Sequence, residues 1–471
     1  MIARVFGLAL LGGLLSAAFP TAAVAKKYTL NELLDLARTQ NPGLRAGDAA
    51  THAMQAQVLE AKRNWFPQGD LTSFVAPVPR VECEPGGTNP VISGDQTTRE
   101  ENCIQTNASP SHGALNYLTN FAGAYSRTDL KLVQPIWDFG KISAGVTAAE
   151  AGVIVTTGRE AGARAEVELN VRKAYWGLKL ARELSAMLEE GEGYLDSAQK
   201  KIEKQLSDGS GNATVSDRLR LRTVRTEIEV RHLEAKRLEG VARSGLRALL
   251  NLDSAEDLEV DDEDFDALEV PQRPLAYYEE QARVSRPEVR TLDYAVKAKR
   301  ALAVLEHRKL YPDLVLIGQL SFAYAPTIDS PASAFSNNPF NGYGGGIAAA
   351  MRLPLDFGPK LARGDRARAE ADEIEARRQE ALGGVGFEVA KAFLELSEAE
   401  TRLDEVRKGE KAGKAWVAAV SQNFALGLAD SRDFSDALLQ SFKMRTFALQ
   451  AVYDVNVSTA TLSRATGTAV P

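Results

Sequence analysis

Two long stretches of the sequence space their hydrophobic residues as an α-helix does. Residues 140–205 and 360–424 contain no proline and are dominated by residues that favour helices. In the second stretch the apolar positions step alternately by three and four residues, which is a heptad pattern, at Val389, Ala392, Leu396, Ala399, Leu403 and Val406. About 65 residues at 1.5 Å per residue predict rods about 100 Å long. Rods of this length are typical of a coiled coil or of a wall of helices.

Shorter segments between the helices alternate apolar and polar residues with the period of a β-strand. Leu320 and Phe322 fall on one face of such a segment, whereas Gln319 and Ser321 fall on the other. The predicted strands cover about residues 68–80, 115–137, 313–326 and 342–357. About ten residues, apolar on one side and small or polar on the other, is the pattern with which a strand crosses an outer membrane in a barrel.

The body of the chain is a tandem duplication. Pro42 corresponds to Pro287 in an ungapped register that also pairs Ala37 with Ala282, Arg38 with Arg283 and Arg45 with Arg290. Further on, residues 135–140 match residues 354–358, with one residue dropped before a shared Asp-Phe-Gly. Solenoid repeats are only about 20 to 50 residues long. The chain is therefore predicted to be two similar halves of one body.

The domain boundaries follow from this duplication. The first repeat covers residues 26–252, an acidic connector 253–274, the second repeat 275–465 and a C-terminal tail 466–471. Each repeat is predicted to begin with a helix, at residues 30–64 and 275–310. A second helix follows each long rod, at residues 215–250 and 431–465. The fold class is therefore predicted to be mixed and mainly α.

Residues 1–25 have the features of an export signal. Arg4 supplies the positive charge, residues 6–15 the apolar run, and Ala23-Val24-Ala25 a cleavage site with small residues. A transmembrane anchor is the alternative interpretation, but the apolar run is shorter than the roughly 20 residues that a membrane-spanning helix needs. A membrane protein of this sequence would have to span the membrane with strands.

Aromatic residues mark the predicted boundaries between strands and helices. They are Trp65, Phe66, Trp137, Phe139, Tyr311 and Phe357. One interpretation is a girdle at the interface of water and lipid. The other is a set of hydrophobic staples within a seam between domains.

Cys83 and Cys103 both lie in the first predicted loop of a chain that carries an export signal. A disulfide that pins this loop at the outer surface is the favoured interpretation, and free thiols or a metal site are the alternatives. Closing a loop of about 20 residues would contribute roughly 3 kcal/mol in the chain-entropy model.

Composition and charge exclude several classes of function. The formal net charge of −7 argues against binding of nucleic acid, which requires clustered Lys and Arg. No two of the four histidines have the spacing with which a helix holds a metal; they are His52, His112, His232 and His307. The sequence also lacks a phosphate-binding glycine loop and a nucleophile elbow. We therefore expect no enzymatic activity, no cofactor and no metal.

The turn after each long rod carries acidic residues. Asp217 and Asp433 each follow a glycine, Gly211 and Gly427, by six positions and lie near the start of the next helix. Helix capping explains such an acid adequately. Asp436 lies three residues beyond Asp433 on the same predicted helix face. Threefold symmetry would bring six of these carboxylates towards one axis, where they would attract cations.

The duplicated order of helix, proline, strand, loop, strand, Asp-Phe-Gly and long helix resembles the TolC family of outer-membrane factors over nearly all of the mature length. The pattern Val-x-x-Ala-Tyr at residues 171–175 and Val-x-x-Ala-Phe at 389–393 is similar to that family as well. The resemblance implies a homotrimer in which each subunit gives four strands to a twelve-stranded outer-membrane barrel. That barrel would be continuous with a periplasmic helical barrel built from coiled-coil pairs.

The resemblance also implies roles for the residues at the helix tips. Asp433 and Asp436 match the aspartate pair of the periplasmic aperture, and Asp217 matches a position that helps latch the tips shut. One departure is Ala429, which stands where the best-studied type has an arginine, so that the latch would use Arg432 or be weaker. A periplasmic adaptor protein would dock along the Gly211 and Gly427 tips.

The implied function is a passive exit duct for small molecules such as drugs or metals, in contact with outer-membrane lipid. Energy would come from an inner-membrane pump or ABC transporter. A duct of a type I protein secretion system has the same fold and is an alternative. A soluble periplasmic coiled-coil scaffold is an alternative of another class, against which the alternating strands argue.

Overall fold

The computed structural model describes residues 26–78, 80–84, 102–105, 123–209, 213–253, 258–271, 273–329 and 338–468. The predicted signal peptide at 1–25, Gly211 and the side chains of Cys83 and Cys103 lie outside the described part of the chain. None of the described helices combines the length and the apolar character that a membrane-spanning helix needs.

Each repeat contains two short helices, two long strands, one very long helix and a final helix of intermediate length. The first repeat comprises β1 (Lys26–Tyr28), α1 (Leu30–Gln40), α2 (Pro42–Arg63), β2 (Gln68–Val78), β3 (Val81–Glu84), β4 (Asn102–Gln105), β5 (Gly123–Trp137), α3 (Lys141–Asp208) and α4 (Val215–Leu250). The connector and the second repeat comprise β6 (Leu258–Val260), α5 (Leu275–Ser285), α6 (Pro287–Arg308), β7 (Asp313–Tyr324), β8 (Gly342–Arg352), α7 (Phe357–Leu426) and α8 (Ser431–Thr466). The order of parts that the duplication predicts is therefore present in both copies.

The predicted helix at the start of each repeat is two helices rather than one. Asn41 and Arg286 have extended backbones and end α1 and α5, because a residue before proline disfavours the helical conformation. The side chain of Asn41 bonds to backbone groups at the start of α2 and near the end of α4, which lack partners within their own helices. Its Oδ1 accepts from the backbone N–H of Gly43 at 2.9 Å, and its Nδ2 donates to the carbonyl of Leu249 at 2.8 Å.

The chain divides into two compact units. The first comprises Met1–Ala46, Gly162–Arg286 and Val385–Pro471, within the limits of the described residues. It is helical, and its core includes the predicted heptad seam of α7, of which Val389, Ala392, Leu396, Ala399 and Leu403 are buried. They pack with residues of α8, among them Val452, Val455 and Leu462. The heptad pattern thus marks a buried helix–helix seam, as predicted.

The predicted acidic connector contains a strand that the sequence did not reveal. Residues of β6 pair in parallel with β1, from Lys26 opposite Leu258 to Tyr28 opposite Val260. Next to this pair, the buried ammonium group of Lys179 lies 2.6 Å from the carboxylate of Asp261, which also accepts a hydrogen bond from the Tyr175 hydroxyl at 3.1 Å. The connector is therefore fastened to α3 by charge and hydrogen bonds.

The second unit comprises Gly47–Ala161 and Pro287–Gly384 and holds the four long strands. They form one sheet in the order β2-β5-β7-β8, and every neighbouring pair is antiparallel. The strands are shorter than predicted at the ends that lead into loops, where β2 stops at Val78 and β7 at Tyr324. β8 stops at Arg352 rather than at 357, since Pro354 removes a backbone donor and α7 begins at Phe357.

Candidate channel wall and helix tips

The sheet has two chemically different faces. One face is apolar and exposed along all four strands, at Leu71, Val75, Leu132, Leu314, Leu316, Leu320, Phe322, Tyr324, Tyr343, Ile347 and Met351. The registers hold these residues in rows, as where Leu71 lies opposite Leu130 and Leu130 opposite Leu320. Tyr343 leaves 91% of its surface exposed and Ile347 leaves 78%. A face of this kind avoids water only if lipid or protein covers it.

The central rows of the other face are polar. Asp70, Lys131 and Gln319 lie side by side in one row, and Thr72, Asp129 and Ser321 in the next. The carboxylate of Asp129 also pairs with the guanidinium of Arg127 at 2.8 Å. Because successive side chains of a strand point to opposite faces, this polar surface is the reverse side of the apolar one. The sheet can therefore separate an apolar medium from an aqueous one.

The strands at the two edges of this sheet are β2 and β8, and the outer side of each has no strand partner among the described residues. Each edge leaves a row of backbone N–H and C=O groups without ladder bonds. Lipid offers no partner for such groups, so that spanning sheets are found as closed barrels. Both edges are therefore available for pairing with further strands.

The six aromatic residues predicted at the ends of strands are all partly exposed and lie where helices meet the sheet. The structure brings three of them together: the rings of Trp137 and Phe139 are 6.1 Å apart, and Phe139 stacks on Tyr311 at 5.6 Å. Trp65, Phe66 and Phe357 are exposed at neighbouring junctions. Their assignment to a lipid interface stays a prediction.

The Asp-Phe-Gly motif acts differently in the two repeats. In the first, the buried carboxylate of Asp138 accepts from the backbone N–H groups of Gly140, at 2.9 Å, and Ile142, and so caps α3. Phe139 and Gly140 both have positive φ, at 56° and 81°. In the second, α7 begins at Phe357, and Asp356 pairs with Lys360 at 2.9 Å. The same three residues therefore make a sharp turn in one copy and a helix start in the other.

At the tip of the first repeat, Thr214 and Asp217 form a capping box at the start of α4. The same Asp217 carboxylate accepts a hydrogen bond from the hydroxyl of Ser431, the first residue of α8. This bond, followed by those from Thr214, holds the pKa of Asp217 below its usual value. Asp217 was predicted from the sequence, whereas Ser431 was not. The only signal at Ser431 is its place in the repeat, just before Asp433.

The three aspartates at the start of α8 are placed differently. Asp430 is the helix cap, because its side chain accepts from the backbone N–H groups of Arg432 and Asp433 at 2.9 Å. Asp433 and Asp436 are exposed, whereas Phe434 between them is buried. Their proposed place at an aperture remains a prediction.

Two further contacts shape this tip. The guanidinium of Arg432 lies 3.9 Å from the Asp436 carboxylate within the same chain. Gly427 directly follows α7 and begins the turn to α8, with φ at 78°. Beside it, Lys201 donates to the carbonyl of Phe424, whose ring stacks on that of Phe434 at 5.1 Å. The structure thus brings the ends of α3, α4, α7 and α8 together in one packed tip.

The backbone register places Cys83 directly opposite Cys103 in the β3–β4 pair. The side chains lie outside the described part of the chain, and the disulfide therefore stays a prediction. Within the described ranges, no cluster of three or more His, Cys, Asp or Glu side chains has the arrangement of a metal site.

Comparison with known proteins agrees with this architecture. The family model described as outer membrane efflux protein matches residues 279–468. No protein of curated function matches the sequence.

Solved structures match over nearly the whole chain. The Campylobacter jejuni CmeC outer membrane channel is similar with a TM-score of 0.72 and 15% identity, over 98% of this chain and 94% of that one. The Neisseria gonorrhoeae MtrE outer membrane channel in its open state is similar with a TM-score of 0.68 and 17% identity, over 94% and 89%. The Vibrio cholerae outer membrane protein VceC is similar with a TM-score of 0.66 and 16% identity, over 94% and 97%.

At these low identities the structural matches show the fold alone, and the match to the family model lies in the second repeat. The second repeat of this chain is thus similar to the outer membrane efflux protein family, and nearly the whole chain shares the fold of the solved outer membrane channels.

Proposed function

We propose that three copies of this chain form the outer-membrane exit duct of a tripartite export system for small molecules. The observation that carries the proposal is the sheet with one exposed apolar face and one polar face. Three sheets of four strands would join through β2 and β8 into a twelve-stranded barrel. This closure gives the backbone groups of both edges partners and turns the apolar face to lipid.

The duct works passively. The rows that contain Lys131, Asp129, Gln319 and Ser321 would line a water-filled path, in which a solute keeps its hydration rather than entering lipid. An inner-membrane pump would supply the energy, and a periplasmic adaptor would connect that pump to the helix tips.

The periplasmic end would be closed by the helix tips. The hydrogen bond between Ser431 and Asp217 joins the start of α8 to the start of α4. While this bond is intact, the two helix pairs of one chain would move together; when it breaks, they could separate at the tips. The exposed carboxylates of Asp433 and Asp436 would face the threefold axis and attract cations. Arg432, at 3.9 Å from Asp436, reduces this charge within the same chain.

A matched pair of substitutions tests which face meets lipid. Leu320→Arg places a charge on the apolar face, where an arginine near the bilayer midplane costs about 2–4 kcal/mol. Gln319→Arg places the same charge one residue earlier on the polar face. We expect Leu320→Arg to abolish the heat-sensitive trimer in outer-membrane fractions and Gln319→Arg to leave it intact.

The outcome separates the channel from a soluble scaffold. A scaffold would be extracted by a salt wash and would tolerate both arginines equally. Purified wild-type trimer should also conduct ions in planar bilayers. Equal behaviour of the two variants, or a wild-type protein that does not conduct, would contradict the proposed function.

A further inference from the structure

An aromatic cluster covers the polar face of the sheet at its loop end. The rings of Phe74 and Tyr125 meet edge to face at 5.7 Å, and Phe340 meets Tyr125 in the same way at 5.3 Å. Tyr125 is 8% exposed, whereas Phe340, which lies on it, is 38% exposed. Phe340 is therefore the outer layer of the cluster and Tyr125 its base.

The strand registers show which face this cluster occupies. Phe74 lies opposite Arg127, and Arg127 lies opposite Ala323. Along β5, Tyr125, Arg127 and Asp129 alternate with residues of the apolar face, so that all three point to the polar side. The cluster thus lies on the polar surface itself, at the end farthest from the helices of this unit.

Hydrogen bonds between side chains and the backbone hold the covering segments in place. Asn341 accepts from the backbone N–H of Ala325 at 2.6 Å and donates back to the carbonyl of Ala325 at 3.0 Å. The Tyr125 hydroxyl donates to the carbonyl of Pro339 at 3.3 Å. These bonds fix the residue on either side of Phe340, and so they fix the position of its ring.

A second anchor lies beside the first. The backbone N–H of Val81 donates to the carbonyl of Thr327 at 2.9 Å, and that of Asp329 donates to the carbonyl of Val81 at 3.0 Å. Ile328, which lies between Thr327 and Asp329, is buried with Tyr125 and Ala325 in a small core. The segment after β7 is therefore folded over the polar face.

We propose that Phe340, seated on Tyr125, limits the size of the solute that leaves the duct. This inference rests on the proposed function, since it requires the polar face to line the path. Three copies around the axis would place three phenyl rings at the outer mouth, just beyond the Arg127–Asp129 pairs. After the charged section of the wall, a passing solute would meet these three phenyl rings, which would narrow the path.

Single-channel recording in planar bilayers tests this role, with polyethylene glycols of graded mass as size probes. Phe340→Ala should raise the conductance and shift the polymer cut-off to larger masses. Phe340→Trp should lower the conductance and shift the polymer cut-off to smaller masses. Opposite effects of the two substitutions could not be explained by a general loosening of the loops. Phe322→Ala is the matched control, because Phe322 is an exposed ring on the apolar face of the same end of the sheet.

The two levels of the hypothesis fail differently. If Phe340→Ala and Phe340→Trp both conduct as the wild type does and share its polymer cut-off, the size-limiting role is wrong while the channel stands. If the wild-type trimer itself does not conduct, the proposed function is wrong. An effect of Phe322→Ala equal to that of Phe340→Ala would also overturn the role of Phe340.

Discussion

The hydroxyl of Ser431 donates a hydrogen bond to the carboxylate of Asp217. This contact joins two residues that begin equivalent helices in the two repeats, α4 and α8. It is therefore a direct polar link between the two halves of the duplication at their tips. Ser431 is 3% exposed, so that the carboxylate replaces the water that its hydroxyl would otherwise bind.

Loss of the Ser431 hydroxyl should loosen the tips. Ser431→Ala removes a bond to a charged group, which we expect to cost about 1 kcal/mol because Asp217 keeps some access to water. The conductance of the trimer in planar bilayers should rise. Ser435→Ala is the control, because the equally buried Ser435 donates only to the carbonyl of Ser431 within its own helix, at 2.7 Å. A larger effect of Ser435→Ala would contradict the link.

The same contact predicts a dependence on pH. The pKa of Asp217 is lowered in the folded tip, chiefly by Ser431 and then by Thr214. Its contribution is therefore complete above the ordinary carboxyl pKa of about 3.9 and is lost as the pH falls through the lowered value.

Conductance measured from about pH 6 to pH 3 should thus stay constant until strongly acidic conditions in the wild type. Ser431→Ala removes the main cause of the lowered pKa, and acid opening should begin at a higher pH. An unchanged onset of opening would show that Asp217 does not titrate at the latch.

The exposed acids of α8 should control cation selectivity. Asp433→Ala combined with Asp436→Ala should lower the cation selectivity of the channel and its block by millimolar divalent or trivalent cations, since the negative field at the aperture is removed. Asp365→Ala is the control, because Asp365 is equally exposed but lies near the start of α7, in the other unit. Unchanged selectivity and block in the double variant would refute the aperture assignment.

Two neighbouring glycines of α3 should respond to alanine with opposite signs. A Cβ at Gly191 would lie 2.3 Å from the ring of Phe442 in α8, whereas a Cβ at Gly193 would have nothing within 4 Å. Gly191→Ala should lower the free energy of unfolding by about 1–3 kcal/mol through overpacking. Gly193→Ala should raise it by up to about 1 kcal/mol, because alanine favours the helix. Thermal unfolding followed by helical circular dichroism measures both, and equal shifts would contradict the packing of α3 on α8.

The Asp-Phe-Gly motif should matter more in the first repeat than in the second. Asp138→Ala removes the cap of α3 and should cost about 1–2 kcal/mol. Asp356→Ala removes the ion pair between the exposed Asp356 carboxylate and Lys360, whose ammonium still donates to the carbonyl of Pro354 at 3.1 Å, and should cost less than the loss of the Asp138 cap. The temperature at which the trimer dissociates on a gel compares the two. An equal loss in both variants would show that the two copies use the motif alike.

The local pattern of the sequence was enough to predict the long helices and the four long strands of this protein. The heptad steps from Val389 to Leu403 gave the buried seam of α7, and the alternation around Leu320 gave the two faces of β7. Both signals arise because side chains follow the period of the backbone that carries them. The same reasoning treated residues 30–64 as one helix and missed the break at Asn41, although Pro42 was visible in the sequence.

The contacts that make a site were decided only in three dimensions. Ser431 meets Asp217, Phe340 covers Tyr125, and β6 pairs with β1, each across a long separation in the sequence. Periodicity indicates which side of an element is apolar, but not which distant residue packs against it, because that depends on the joint packing of many side chains. The sequence by itself therefore determined the duplicated elements and their faces. The tertiary structure decided the contact between Ser431 and Asp217 at the helix tips, the cover over the polar face and the different use of one motif in the two halves.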